Sequence, residues 1–391
     1  MYQGVYTLPA IERVVFGRPA AQVVLEEARR LGAERVFVMA PAIVIEKTDI
    51  VARIVQALGA RHAGTWDRVA PHTPREDVLA ATAAAREAGA QLIVAVGGGS
   101  ITDAAKGVQT CLANDVTGMA QLDELRKRPE EPMTAARPGV KPPKVRMVAV
   151  PTTLAGAEFT SYAGITNVQR GVKEVFTHPL QVPRTIVLDP AVAVHTPGWL
   201  WLSTGIRALD HAVEDICSID AQPYSEGTAL QAIRLLARAL PATRRDPGDL
   251  RARLDAQVAM WLSTVGSQAG VNKGASHAIG HALGGTGGVP HGYTSCILMA
   301  HVMRFNEPVV RDRQALIAQA LGDPHASPAD LVERLIGSLG VPQTLREVNI
   351  TTDAQIDAVA QAAMHDPWIR TNPRRIDGPE VVRTILEAAR G

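Results

Sequence analysis

The sequence predicts an α/β domain built on a Rossmann-like parallel sheet over residues 1–190, followed by an all-helical domain over residues 191–391. Three observations carry this expectation. Short β-branched runs alternate with helical segments as far as residue 190, the pattern of a doubly wound sheet. The clearest of those runs passes straight into three glycines and then a helix. No convincing strand follows Trp199. A chain of 391 residues is long enough for two domains, each burying its own core.

Residues 11–16 end at Gly17 and read as a strand, and residues 20–31 are an Ala/Leu/Glu-rich helix. Residues 35–41 are a β-branched run stopped by Pro41, which marks a buried strand. Residues 46–59 read as one helix and 62–69 as a weaker strand. The helix over 74–89 has Pro74 in its first turn, where the missing N–H costs nothing. Residues 91–96 are the clearest strand in the chain; they run into Gly97-Gly98-Gly99-Ser100 and a helix over 102–113. Consecutive glycines let backbone amides approach a phosphate, and a helix N-terminus adds partial positive charge. A glycine turn with no ligand is the alternative, because the run is not a GxGxxG fingerprint. Asp103 and Lys106, three apart, also fit an ion pair on a solvated helix face.

Residues 128–144 are rich in proline and charge and read as a surface loop. Residues 145–150 form another strand, leading into Pro151-Thr152-Thr153 and on to Glu158 and Thr160. Small and hydroxylated residues at the carboxyl end of a strand suit a crevice-bound ligand, or ordinary turn chemistry. Residues 184–190 are the last strand-like segment.

Helices are then expected over 199–217, 224–240, 248–268, 272–285, 294–305, 312–322, 328–339, 353–363 and 378–390. In the first, Arg207 and His211 lie four apart and share a face. In the fourth, His277 and His281 do the same, and His291 follows in Val-Pro-His-Gly. Converging imidazoles suggest a metal, but the face of His211 carries an arginine where a metal site wants a carboxylate. Asp210 is about 100° round the helix from His211 and is not an obvious substitute ligand. Core histidines with satisfied hydrogen bonds are the bland alternative. An active site using both the glycine turn and the histidines is expected at the junction of the two domains.

Composition excludes several function classes. Lys plus Arg number 40 against 39 Asp plus Glu, so the chain has no electrostatic footprint for nucleic acid or an anionic membrane. Cys111, Cys217 and Cys296 show no CxxC spacing and fit free thiols in a reducing cytoplasm. The N-terminal stretch has neither a basic leader nor an apolar run, so no signal peptide is expected, and no segment approaches the roughly 18 apolar residues of a membrane span.

Several spaced motifs are in register with one known family. They are Gly97-Gly98-Gly99-Ser100-x-x-Asp103-x-x-Lys106; Pro151-Thr152-Thr153 with Glu158 and Thr160; Lys173; Asp189-Pro190; Gly205-x-x-Ala-x-x-His211-Ala-x-Glu214; and His277-x-x-x-His281 before Pro290-His291-Gly292. On these residues the chain resembles the iron-containing (group III) alcohol dehydrogenases, whose fold is dehydroquinate synthase-like. Arg13-Val-Val-Phe-Gly17, His72-Thr73-Pro74, Leu154-Ala-Gly-Ala-Glu158 and Leu283-Gly-Gly285 make it most similar to the maleylacetate reductases. Those enzymes reduce a carbon–carbon double bond of maleylacetate with NADH or NADPH during aromatic degradation.

The resemblance implies that Gly97, Gly98, Gly99 and Ser100 hold the cofactor pyrophosphate, with Asp103 in the same helix. It implies that Thr152, Thr153, Thr160 and Lys173 line the ribose and nicotinamide end, and that His281 sits near the substrate. It also implies a homodimer, and composition with free thiols makes a cytoplasmic protein the expectation. Metal-dependent members use one Asp and three His; carried over, the histidines are His211, His277 and His291, and the Asp position is Arg207. A guanidinium cannot ligate a cation and repels one, so no catalytic metal is expected. No acidic residue stands near Ala40-Pro41 to exclude a 2′-phosphate, so NAD(H) or NADP(H) is expected. Arg207 is then expected to clamp a substrate carboxylate bidentately or stabilise an enolate, with His277, His281 or His291 giving the proton. A metal-dependent alcohol dehydrogenase or aldehyde reductase, a lyase of the dehydroquinate-synthase kind, and a catalytically lapsed binding protein are the competing expectations.

Overall fold

The computed structural model describes residues 6–128, 131, 135 and 137–391. The described chain forms two compact units, Leu8–His195 and Thr196–Gly391, the second joined by Tyr6 and Thr7. The division falls beyond the expected boundary after Pro190. The helix Pro190–Ala193 buries Val192 in the core formed by the sheet, and so belongs with the sheet. Of the N-terminal stretch, residues 1–5 lie outside the described residues, as does part of the expected loop over 128–144.

The first unit is a six-stranded, all-parallel sheet. Its elements are β1 (Arg13–Phe16), α1 (Ala20–Arg30), β2 (Val36–Met39), α2 (Ala42–Lys47), α3 (Ile50–Leu58), β3 (His62–Trp66), α4 (Arg75–Glu87), β4 (Leu92–Gly97), α5 (Gly99–Ala113), α6 (Met119–Glu124), β5 (Arg146–Pro151), β6 (Tyr162–Asn167), β7 (Val172–Thr177), β8 (Thr185–Leu188) and α7 (Pro190–Ala193). The strand order is β1-β8-β5-β4-β2-β3, with β6 and β7 forming a separate antiparallel pair. Both faces of the sheet are covered, so successive residues of one strand enter different cores. Val36 and Val38 pack with α1 and α3 residues such as Val24 and Ile54. Phe37 and Met39 pack on the other face with α4 and α5 residues such as Ala81 and Val108.

Three expectations for this unit are corrected. The helix over 46–59 is two helices, because Thr48 is extended. Its hydroxyl donates to Val44 O (2.5 Å) and accepts from Ile50 N (3.4 Å), competing with the helical ladder. Pro74 is the residue before α4 rather than inside its first turn. The β6–β7 hairpin was not expected: its strands mix Thr, Lys and Glu with apolar residues, and α5 buries one face.

The second unit is helical: α8 (Gly198–Cys217), α9 (Pro223–Arg245), α10 (Leu250–Ser263), α11 (Val265–Gln268), α12 (Ala275–Gly287), α13 (His291–Leu321), α14 (Pro328–Leu339), α15 (Asp353–Ala363) and α16 (Pro379–Ala388). The expected helix over 248–268 breaks at Thr264 into α10 and α11. The two expected over 294–305 and 312–322 run on as α13, kinked at Val310 after Pro308. A core of Ile279, Leu283, Leu298, Ile356, Leu386 and neighbours binds α12, α13, α15 and α16 together. No helix of the described residues is long and apolar enough to cross a membrane.

Candidate active site

Helix α8 is buried along nearly all its length, yet it carries polar residues at 207, 210, 211 and 214. That is the i, i+3, i+4, i+7 spacing of a single face. Helices α12 and α13 bring the histidines to this stripe. His211 and His277 stack with ring centroids 4.8 Å apart, His277 and His281 meet edge to face at 6.3 Å, and His281 stacks on His291 at 5.7 Å. Trp368 packs 5.3 Å from His281 and 5.7 Å from His277. The four histidines picked out from the sequence therefore converge, with Arg207 among them.

Arg207 is 3% exposed. Its Nη1 donates to Ser295 Oγ (3.1 Å) and its Nη2 lies 3.4 Å from His281 Nε2. Gly280 lies opposite, where a Cβ would stand 3.6 Å from Nη1, an ordinary contact, but 3.0 Å from Thr294 Oγ1. Asp210, set aside in the sequence reading, belongs to the cluster. It lies about 60° from Arg207 round the helix, opposite to the side of His211. Its Oδ2 accepts from Ser276 Oγ (2.8 Å) and Ser295 Oγ (2.6 Å), and lies 3.5 Å from His277 Nδ1. Glu214 accepts from the backbone N–H groups of Gly274 (2.9 Å) and Ser276 (2.8 Å), a carboxylate at the start of α12, and its Oε2 is 2.8 Å from His277 Nδ1. Lys273 is buried on Asp215 and also donates to His211 O (3.2 Å). His281 Nδ1 lies 2.8 Å from Asp366 Oδ2, between α15 and α16.

Burial sets the protonation states. His211 and His277 are pushed well below the usual histidine range by burial first, then by nearby cations that include Arg207 and Lys273. Burial and then the Asp210 charge raise Glu214 to about 8. Burial raises Asp215 to about 6 against the pull of Lys273. Burial also raises Asp210, against the pull of the Arg207 charge and the serine hydrogen bonds, so Arg207 and Lys273 stand beside two carboxylates that burial works to neutralise.

The ligand positions do not suit a divalent ion. The Asp position is an arginine whose guanidinium stands within the histidine cluster. Asp210, Glu214 and His277 do gather donor atoms within 4.8 Å of one another among the described residues. Both serine hydroxyls fall on Asp210 Oδ2 and both backbone amides on Glu214, while Asp210 Oδ1 has no hydrogen-bond partner among the described residues, and Arg207 Nη1 stands 3.9 Å from Asp210 Oδ2.

In the first unit, β4 ends at Gly97 (φ +157°), Gly98 caps α5, and Gly99 and Ser100 are already helical rather than part of a preceding turn. A Cβ on Gly97 would come within 3.0 Å of Ile101, and one on Gly98 within 3.1 Å of Thr153. The bare backbone at a helix N-terminus suits a pyrophosphate. Ser100 Oγ accepts from His72 N (3.2 Å), and Thr152 N donates to Gly97 O (3.0 Å). Asp103 Oδ2 accepts from Gly164 N (3.2 Å) and faces Lys173 Nζ at 3.7 Å. Lys106 is not on a solvated face. It is fully buried and donates to Ala157 O, Tyr162 O and Thr160 Oγ1 at 2.6, 2.7 and 3.1 Å, and burial lowers it to about 8.

Residues 11–190 match the family description Iron-containing alcohol dehydrogenase, and residues 201–389 match Fe-containing alcohol dehydrogenase family, C-terminal. The chain is 32% identical over 411 residues to dehydrogenase FUM7 of Gibberella moniliformis, covering 96% of each. It is similar to the crystal structure of maleylacetate reductase from Agrobacterium tumefaciens, with 28% identity, a TM-score of 0.83, and coverage of 100% of this chain and 99% of that one. The fold is also that of sulfoacetaldehyde reductase from Bifidobacterium kashiwanohense, solved with NAD+, at 22% identity, a TM-score of 0.88, and coverage of 100% and 99%. The chain belongs to the iron-containing alcohol dehydrogenase family, as an oxidoreductase related to the maleylacetate reductases.

Proposed function

We infer that this protein is an NAD(P)H-dependent reductase of a small carboxylated enone or keto acid, working without a catalytic metal. The observation that supports the reading is Arg207: a buried guanidinium occupies the position of the family's Asp ligand and faces His281. A nicotinamide cofactor, when bound, supplies the hydride, and the glycine turn from Gly97 to Ser100 is the place for its pyrophosphate. As hydride adds to an activated double bond, negative charge moves onto the conjugated carbonyl oxygen; in a keto acid it develops on the ketone oxygen. Arg207 stabilises that oxygen or holds the substrate carboxylate. Nη1 donates to Ser295 and Nη2 faces His281, so Nη2 is the guanidinium nitrogen turned toward the proton donor. His281 gives the proton that completes the reduction as its imidazolium, with Nδ1–H held by the Asp366 carboxylate and the transferred proton on Nε2, which turns from Arg207 to the substrate. His211, half-buried, and His277, buried, are held neutral and shape the site.

Two measurements test this. Arg207→Ala should lower kcat/KM for maleylacetate by roughly 10²–10³-fold, the size of losing one oxyanion donor, with NADH affinity by fluorescence titration unchanged. Near-normal turnover would make Arg207 structural. Protein purified without chelator or added metal should hold less than about 0.1 equivalent of Zn, Fe, Ni or Mn and keep its activity. Near one equivalent would favour the metal-dependent alcohol dehydrogenase, with primary alcohols and aldehydes as substrates.

A further inference from the structure

We propose that Asp210 and Ser295 are positioning residues for Arg207, forming a relay across three helices that aims the guanidinium at the substrate. The inference rests on the role given to Arg207 above. Arg207 Nη1 and Asp210 Oδ2 are 3.9 Å apart, too far for a direct hydrogen bond. The Ser295 hydroxyl joins them: it accepts from Nη1 at 3.1 Å and donates its proton to Oδ2 at 2.6 Å. One hydroxyl has a single proton and can do both only in this direction, from cation to serine to anion. Ser276 donates to the same carboxylate oxygen at 2.8 Å, fixing Asp210 from α12 while Ser295 fixes it from α13. Asp210, Ser276 and Ser295 are all buried, so water does not compete for these bonds.

The relay fixes the orientation of the guanidinium. Nη1 donates to Ser295, and Nη2 is held toward His281 Nε2 at 3.4 Å. An arginine side chain has many rotamers, and a developing oxyanion is stabilised only by donors already in place. Asp210 and Ser295 supply that preorganisation without touching the substrate.

The test is a double-mutant cycle on the full-length enzyme, with NADH and maleylacetate as the probe. Ser295→Ala should lower kcat about 10–100-fold, the range seen when an orienting partner is removed, with NADH affinity unchanged. Ser295→Thr, which keeps the hydroxyl, should recover most of the loss. In the Arg207→Ala background, Ser295→Ala should cost nothing further, because its effect passes through Arg207. If the two losses multiply, Ser295 acts independently and the relay is overturned while the role of Arg207 stands. If Arg207→Ala alone is near normal, the functional reading fails and the relay falls with it. NADH titration reports folding of each variant; should Ser295→Ala not fold, Asp210→Asn takes its place in the same cycle.

Discussion

His281 holds its two ring nitrogens in different company. Nδ1 faces the Asp366 carboxylate at 2.8 Å and Nε2 faces Arg207. A carboxylate on Nδ1 fixes one tautomer and steadies the imidazolium that forms on protonation. Asp366 is itself held, because its other oxygen accepts from Trp368 N at 2.9 Å. Asp366→Asn replaces an acceptor with an amide that can also donate, and so permits the wrong tautomer. It should lower kcat by roughly 10²-fold or more with NADH affinity unchanged, measured by steady-state kinetics. A variant with wild-type kcat would remove His281 from proton transfer. From sequence, His281 could be picked out by its spacing from His277. Asp366 could not, because 85 residues separate it from its partner and nothing local marks it.

At the scale of elements, the site depends on how closely α8 and α13 cross. Gly292, one turn before Ser295, makes that approach possible. A Cβ there would stand 2.5 Å from Ser203 Oγ, 2.9 Å from Ser203 Cβ and 3.2 Å from its backbone carbon. Backbone cannot move aside as a side-chain tip can, so Gly292→Ala must separate the helices. We expect a loss of about 1–3 kcal/mol in urea denaturation, as for other overpacked cores, together with reduced kcat. Unchanged stability would mean the crossing is looser than the structure shows. The helices themselves were legible because their apolar residues recur at three and four. The β6–β7 hairpin was not, since Lys173 and Glu174 break the alternation and its burial comes from α5.

For the molecule as a whole, buried carboxylates tie stability to pH. Glu158 is 2% exposed, its Oε1 has no hydrogen-bond partner among the described residues, and burial raises it from 4.5 to about 7. Its folded form holds a proton that the unfolded chain releases. The associated stability is therefore fully present below about pH 4.5 and is lost as pH rises through about 7. Glu158→Gln cannot titrate. Relative to the wild type, the variant should gain up to about 3 kcal/mol between those pH values, read from urea curves at each pH. Parallel pH profiles for the two proteins would show that Glu158 is ionised in the fold.

What the sequence determined by itself was whatever depends on local spacing. Continuous β-branched runs and period-3.6 patterns set the parallel sheet and the run of helices. The motif register set the family, and placed Arg207 where metal-dependent members carry an Asp ligand. Seen from His211 alone, Asp210 lies off the face; set against Arg207, the stripe 207, 210, 211, 214 is one face. Only the tertiary structure decided which partners those residues meet. Ser276, Ser295 and Asp366 reach the cluster from other segments, and the burial that neutralises His211 and His277 exists only once the helices pack. Hydrogen-bond direction and desolvation depend on distances between atoms far apart in the chain, and no local pattern encodes those distances.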